Sequence, residues 1–213
     1  MSKLELLSNK PNIQQLATGF KYSVDSLVLA DSVDVHEGAS VLDVGSGVGT
    51  ASIYAVYGIA DVKVTAVEID ELAANLAILN YRNNNIMADV HCANFAEFNF
   101  NGQRFDYVIT NPPFYRPTDG RVSSAKGYAN HEMIPLGSWV KLCLKRVKPR
   151  GIFSIIHTVD RLGDILSAIN RSCWGITVTP ISFQATQLPK RISITAENGS
   201  RKKLVLNNPH IVQ

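Results

Sequence analysis

Cysteine is scarce: three residues in 213, Cys92, Cys143 and Cys173, lie far apart and form no C-x-x-C pair. That excludes a disulfide framework and a paired thiol redox site, and all three are expected as buried free thiols. The five histidines show no zinc-ligand spacing, so no metal is expected. No run of about 18 apolar residues is available to span a bilayer. The N-terminus, Met1 to Ser8, lacks the apolar segment of a signal peptide, and the expected location is the cytoplasm. Internal repeats and low-complexity linkers are absent as well. Acidic residues are nearly missing near the C-terminus, where Lys190, Arg191, Arg201, Lys202 and Lys203 lie.

What is present is enough for one full-sized core, with 46% hydrophobic and 18% charged residues. A single domain is expected, with 1–35 as an N-terminal extension and cleft-lining helix and 36–213 as the domain proper. The net charge of +3 is mild, but its distribution makes the second half basic. Arg116, Arg121 and Lys126 are followed by Lys141, Lys145, Arg146, Lys148 and Arg150, then by the C-terminal group. Such clustering fits a polyanionic partner.

Strand and helix signals alternate along the chain. Val24, Leu27 and Val28 keep helical spacing behind a potential N-cap at Ser23, and Lys21, Tyr22 and Asp25 either close the edge of the core or line a ligand cleft. Val41 to Val44 reads as a buried strand, followed by Gly45-Ser46-Gly47-Val48-Gly49-Thr50 and a helix through about Tyr57. A dinucleotide fingerprint would want a glycine at position 50, where Thr stands. G-x-G-x-G with an acid two residues before its first glycine is instead the pattern of S-adenosylmethionine sites, where Asp43 reaches the methionine ammonium. A second strand, 62–68, ends in Glu68, about 20 residues beyond the glycines, at the place of a ribose-diol acceptor. Asp70 is expected to cap the helix that follows, from Glu71 to about Tyr81. The third strand, 88–92, leads to Asn94 and Phe95, which either read and cover the donor's adenine or are simply a turn residue and a core aromatic.

The fourth strand, Phe105 to Ile109, delivers Thr110-Asn111-Pro112-Pro113-Phe114. The Asn111 side-chain carbonyl and the Pro112 backbone carbonyl both accept hydrogen bonds, and neither proline offers a competing N–H, so the turn suits an NH2 group. Phe114 supplies a stacking face. Residues 115–131 read as a long basic lid. An amphipathic helix from Leu136 to Val147, a fifth strand 151–157, a helix 161–170 and two final strands, 177–183 and 203–206, complete the chain, the last two forming a hairpin-like edge around a basic connection. Alternating β and α units predict an α/β, Rossmann-like three-layer sandwich with a mostly parallel seven-stranded sheet.

Taken together, Asp43 to Gly49 and Asn111 to Phe114 resemble the class I S-adenosylmethionine-dependent methyltransferases that modify adenine N6 or glutamine N5. Tyr22-Ser23-x-Asp25-Ser26 and His131-Glu132 narrow the likeness to bacterial valine-tRNA (adenine-N6) methyltransferases, which modify the adenine beside the anticodon. The resemblance implies that Asn111, Pro112, Pro113 and Phe114 hold the target base. It implies that Asp43, Gly45, Glu68 and Asn94 hold the donor, and Ser46, Gly47, Gly49, Ile69, Phe95, Tyr22 and Asp25 are expected to bind it with them. Asn94 departs from the family's usual Asp and offers an uncharged acceptor. For tRNA, the expected contacts are Lys21, Arg116, Arg121, Lys126, Arg191 and Arg201, in a monomer or weak homodimer. A protein glutamine-N5 methyltransferase and a non-catalytic RNA-binding relative are the competing readings.

Overall fold

A computed structural model of the chain describes residues 10–15, 24–114, 134–169, 174–184 and 186–212. Lys21, Tyr22, Ser23, Arg116, Arg121, Lys126, His131, Glu132, Cys173 and the expected lid lie outside these residues. Helix α1 (Val24–Asp31) precedes two β/α steps and a third strand: β1 (Ser40–Val44), α2 (Thr50–Val56), β2 (Lys63–Glu68), α3 (Glu71–Asn83) and β3 (Met87–Cys92). There follow β4 (Phe105–Thr110), α4 (Leu136–Leu144), β5 (Val147–Thr158), α5 (Leu162–Ala168), β6 (Trp174–Ser182), β7 (Arg191–Asn198), and the two-residue strands β8 (Val205–Leu206) and β9 (His210–Ile211).

One sheet runs in the order β3-β2-β1-β4-β5-β7-β6, with β8 and β9 both added beside β6. Strands β3 to β5 are parallel, and β7 runs antiparallel to both β5 and β6. The apolar run of β1 shows why its strands do not alternate polar and apolar residues. Val41 faces a core built with Ala51, Ile53 and Tyr81 of α2 and α3, while Leu42 and Val44 face one built with Leu136, Val140 and Ile165 of α4 and α5. A strand covered on both faces is apolar at successive positions. The expected three layers and mostly parallel sheet are present, with nine strands among the described residues instead of seven, because the two-residue β8 and β9 extend the sheet beside β6.

Three sequence expectations need correction. The stretch read as a basic connection contains β7, whose Ile192, Ile194 and Ala196 are buried at alternate positions; the flanking basic residues masked that alternation. The segment 203–206 contributes only the exposed pair Val205–Leu206, which lies parallel to β6 instead of closing a hairpin. Cys92 is an exposed free thiol on the outermost strand, whereas Cys143 is buried as expected, its thiol pushed up by burial. Part of the N-terminal extension is tied to α3 and its C-cap. Asn80 and Asn84 of α3 each trade two hydrogen bonds with the backbone of Gln14 and Asn12, at 2.8–2.9 Å, and Asn80 Nδ2 also donates to Val48 O of the glycine turn.

Candidate active site

In an open parallel sheet, ligands bind beyond the carboxyl ends of the strands where the strand order reverses. Here the reversal falls between β1 and β4, in register from Val41 beside Tyr107 to Val44 beside Thr110. The glycine turn leaves the end of β1 and Asn111 leaves the end of β4. The two motifs, more than 60 residues apart in sequence, thereby become neighbours. Trp139 of α4, which the sequence did not single out, ties them together. Its Nε1–H donates to Thr110 Oγ1 (3.1 Å), that hydroxyl donates to Val44 O (2.8 Å), and its ring lies where a Gly45 Cβ would meet it at 3.6 Å.

Asp43 is 2% exposed beneath the glycine turn. Ser52 Oγ donates to Asp43 Oδ2 (2.5 Å), and the Tyr81 hydroxyl completes the chain at 2.6 Å from Ser52 Oγ. Burial pushes the Asp43 carboxyl up to about 6, against the pull of the Ser52 hydrogen bond. A buried carboxylate with no cationic partner among these contacts is a ready partner for an ammonium group. Gly49 has φ +86, and a Cβ there would meet the Tyr81 ring at 3.0 Å, so the last glycine of the turn is required on two counts. Gly47, at φ +55, faces open space.

Glu68 sits where β2 ends. Its Oε2 accepts from Gly47 N–H (2.7 Å), and its Oε1 from the N–H groups of Ile69 and Asp70 (2.9 Å each). Three of its four lone-pair sites are engaged, which leaves one for a ribose hydroxyl and makes a bidentate diol compete with the Gly47 amide. Asp70 caps α3 through Ala73 N–H (2.8 Å), as expected. The Asn94 side chain accepts from Ala96 N–H (3.1 Å) and donates to Glu97 (3.0 Å), while Phe95 is 6% exposed against Phe100 and Trp139. Both therefore serve the turn and the core directly. The Ile69 side chain is exposed at the rim.

Asn111 Oδ1 is buried and has no hydrogen-bond partner among the described residues. A buried acceptor left unmatched costs about 1–3 kcal/mol, so this atom awaits a donor. The Phe114 ring packs against His157 of β5 (centroids 5.0 Å apart) and beneath the Arg191 guanidinium (4.7 Å). Arg191 Nε in turn donates to Asp25 Oδ2 of α1 (3.3 Å). His157 Nδ1 accepts from Thr158 N–H (2.8 Å), so the neutral ring carries its proton on Nε2, a buried atom, and the ring interacts with the Pro113 backbone of the Asn-Pro-Pro turn. Burial and then the nearby Arg161 charge depress this histidine to about 4. His157 was missed in the sequence, although it lies two residues beyond Ile155, the register partner of Thr110, at the same strand-end level.

The basic C-terminal group is divided by β7. Register pairs Arg191 with Thr158, at the Asn111 end, and Asn198 with Trp174, at the far end. Seven residues of strand separate them by roughly 23 Å. Arg201 follows Asn198 and belongs to the far end with Lys202, so it shares no base-binding cleft with Asn111. Lys148 and Lys202 pair with Asp106 and Glu197 there. Among the described residues no cluster of His, Cys, Asp and Glu is placed to hold a metal, and no helix is long and apolar enough to cross a membrane.

The residues at this crevice fit S-adenosylmethionine: a buried carboxylate for an ammonium, a second carboxylate for a ribose, open space over Gly47 and an unmatched amine acceptor at Asn111. Strand order, glycine turn and site together are those of a class I S-adenosylmethionine-dependent methyltransferase. Solved structures agree on the fold. A predicted O-methyltransferase from Agrobacterium tumefaciens superposes with a TM-score of 0.68 at 20% identity, over 88% of this chain and 86% of that one. The 16S rRNA N2 G1207 methyltransferase of T. thermophilus, solved with AdoMet and guanosine, gives 0.59 at 20% identity, over 84% and 44%. The chain belongs to the methyltransferase small domain family, whose model matches residues 21–133. Curated relatives include the tRNA1(Val) (adenine(37)-N6)-methyltransferases of Vibrio vulnificus, 26% identical over 75% of this chain and 67% of that one, and of Aliivibrio fischeri, 23% identical over 92% and 81%.

Proposed function

We propose that this methyltransferase acts on the exocyclic N6 of an adenine in tRNA, the anticodon-adjacent adenine of a valine tRNA. The observation that carries the reading is the buried, unpartnered Oδ1 of Asn111 at the end of β4. Adenine N6 is a poor nucleophile because its lone pair is delocalised into the ring. Asn111 Oδ1 and the Pro112 carbonyl accept its two hydrogens, draw the nitrogen toward pyramidal geometry and turn its lone pair toward the donor. Bound S-adenosylmethionine supplies an electrophilic methyl group. The two acceptors oppose the positive charge that builds on nitrogen, so their stabilisation grows in the transition state. Solvent takes the released proton, and no strong general base is needed. Phe114 carries the base, which reaches it flipped or already splayed from a loop. Asp43 holds the donor's ammonium and Glu68 its ribose.

The names of the curated relatives and the basic second half favour tRNA over a peptide. Mass spectrometry of nucleosides from tRNA isolated with and without the protein tests this directly: N6-methyladenosine should appear only with it. In a parallel incubation with labelled donor, bulk tRNA and a release-factor protein, label confined to the protein would overturn the tRNA reading in favour of glutamine-N5 transfer.

A further inference from the structure

The Phe114 face is already covered by a planar group. Arg191 Cζ stands 4.7 Å from the ring centroid, close enough for a cation–π contact. The guanidinium is held there by two long contacts, Nε to Asp25 Oδ2 at 3.3 Å and a terminal nitrogen to the Lys190 carbonyl at 3.4 Å. Asp25 Oδ1 is buried without a partner among the described residues, so the pair is monodentate, unlike the forked geometry that arginine and carboxylate prefer. The Asp25 side chain is 7% exposed and fixed on α1, whereas that of Arg191 is 26% exposed at the start of β7. The carboxylate is thus the anchor and the guanidinium the movable partner.

We propose that Arg191 is a target-base residue whose guanidinium closes over the base carried by Phe114, with Asp25 as its positioning residue. The inference rests on reading Phe114 as the base platform. A base takes about 3.4 Å of a stack, so a base between ring and guanidinium sets Cζ roughly 7 Å from the centroid, about 2 Å beyond its present 4.7 Å. Two contacts of 3.3 and 3.4 Å, both at the long end of hydrogen bonding, permit that lift, and Asp25 Oδ1 offers a second acceptor to the displaced guanidinium. Arginine suits the role because its planar face stacks as well as carrying charge; lysine carries only the charge.

The test measures steady-state constants of the full chain with tRNA. Arg191→Ala and Arg191→Lys should each raise the KM for tRNA about tenfold and leave the KM for S-adenosylmethionine unchanged. Asp25→Asn should raise the tRNA KM about threefold in the wild-type background and not at all beside Arg191→Lys, the non-additivity expected of a residue that acts only through its partner. A wild-type tRNA KM in Arg191→Lys would make Arg191 a point charge for phosphate and overturn the proposal. An Asp25→Asn effect that persists beside Arg191→Lys would overturn the positioning role. Should Arg191→Ala fail to fold, Arg191→Lys and Arg191→Gln carry the measurement. If the wild-type chain places no methyl on tRNA, the functional reading falls and takes this proposal with it; if tRNA is methylated and Arg191→Lys matches wild type, this proposal falls alone.

Discussion

Replacing Asp43 by asparagine should make the protein more stable at neutral pH while weakening donor binding. The Asp43 carboxyl is raised from 3.8 to about 6 because burial disfavours its charge. A raised carboxylate holds its proton more tightly in the folded state, so its effect on stability is nil well below pH 4, unfavourable through the interval from about 4 to 6, and constant above it. At about 1.36 kcal/mol per pH unit of displacement, the carboxylate costs the fold about 3 kcal/mol above pH 6. Of this, about 2 kcal/mol develops between pH 4.5 and 7.5. Asparagine keeps an acceptor for the Ser52 hydroxyl and cannot ionise. The wild-type curve alone would hide the effect, because His157 has the opposite sign. Its value is depressed to about 4, so its contribution is intact above pH 6.5 and is lost as pH falls toward 4, by about 2.5 kcal/mol at pH 4.5. Urea denaturation of wild type and Asp43→Asn at several pH values isolates Asp43 as a difference. The advantage of the variant should grow by about 2 kcal/mol from pH 4.5 to 7.5, and calorimetry should show S-adenosylmethionine binding about 10- to 100-fold weaker, the worth of one charged hydrogen bond. A stability difference that stays flat across that range would refute the assignment of a destabilising buried charge to Asp43.

His157→Gln should remove the acid limb of the stability curve, gaining about 2.5 kcal/mol on wild type between pH 7.5 and 4.5 in the same urea titrations. Asn111→Ala should lower kcat on the order of 100- to 1,000-fold in single-turnover methyl transfer, with donor binding by calorimetry little changed. Gly49→Ala should cost about 2–4 kcal/mol, from a left-handed residue and a methyl pressed onto the Tyr81 ring. The urea midpoint reads that loss, which should combine less than additively with Tyr81→Leu.

How much was legible beforehand depended on how local each signal is. The buried strands β1 and β4 and the glycine turn were readable because an apolar run and a G-x-G-x-G spacing are properties of a few consecutive residues. So was the Asp70 cap, which needs only its own turn. Strand β7 was legible in principle from alternating Ile192, Ile194 and Ala196, but its basic flanks outweighed so short a pattern. Asn94 and Phe95 fit a ligand contact and a turn with a core aromatic equally well in sequence, because a turn and a binding loop share the same residue types, and only the structure shows the local hydrogen bonds and core packing that engage them. Ser52, Tyr81, Trp139 and His157 gave no signal. Each matters through contacts with residues nine or more positions away, and sequence spacing says nothing of such contacts.

The motif Asn111-Pro112-Pro113-Phe114 and the glycine turn were determined by sequence alone, because an amine acceptor without competing N–H groups, and a turn with left-handed residues, are matters of residue chemistry. Their meeting was decided by the sheet order, which sets β4 beside β1 and brings the two strand ends into one crevice. The same holds for charge. Composition showed a basic C-terminal half, but only the antiparallel course of β7 puts Arg191 over Phe114 and carries Arg201 to the opposite end of the sheet. Charge is a property of residues, whereas reach depends on which way a strand runs.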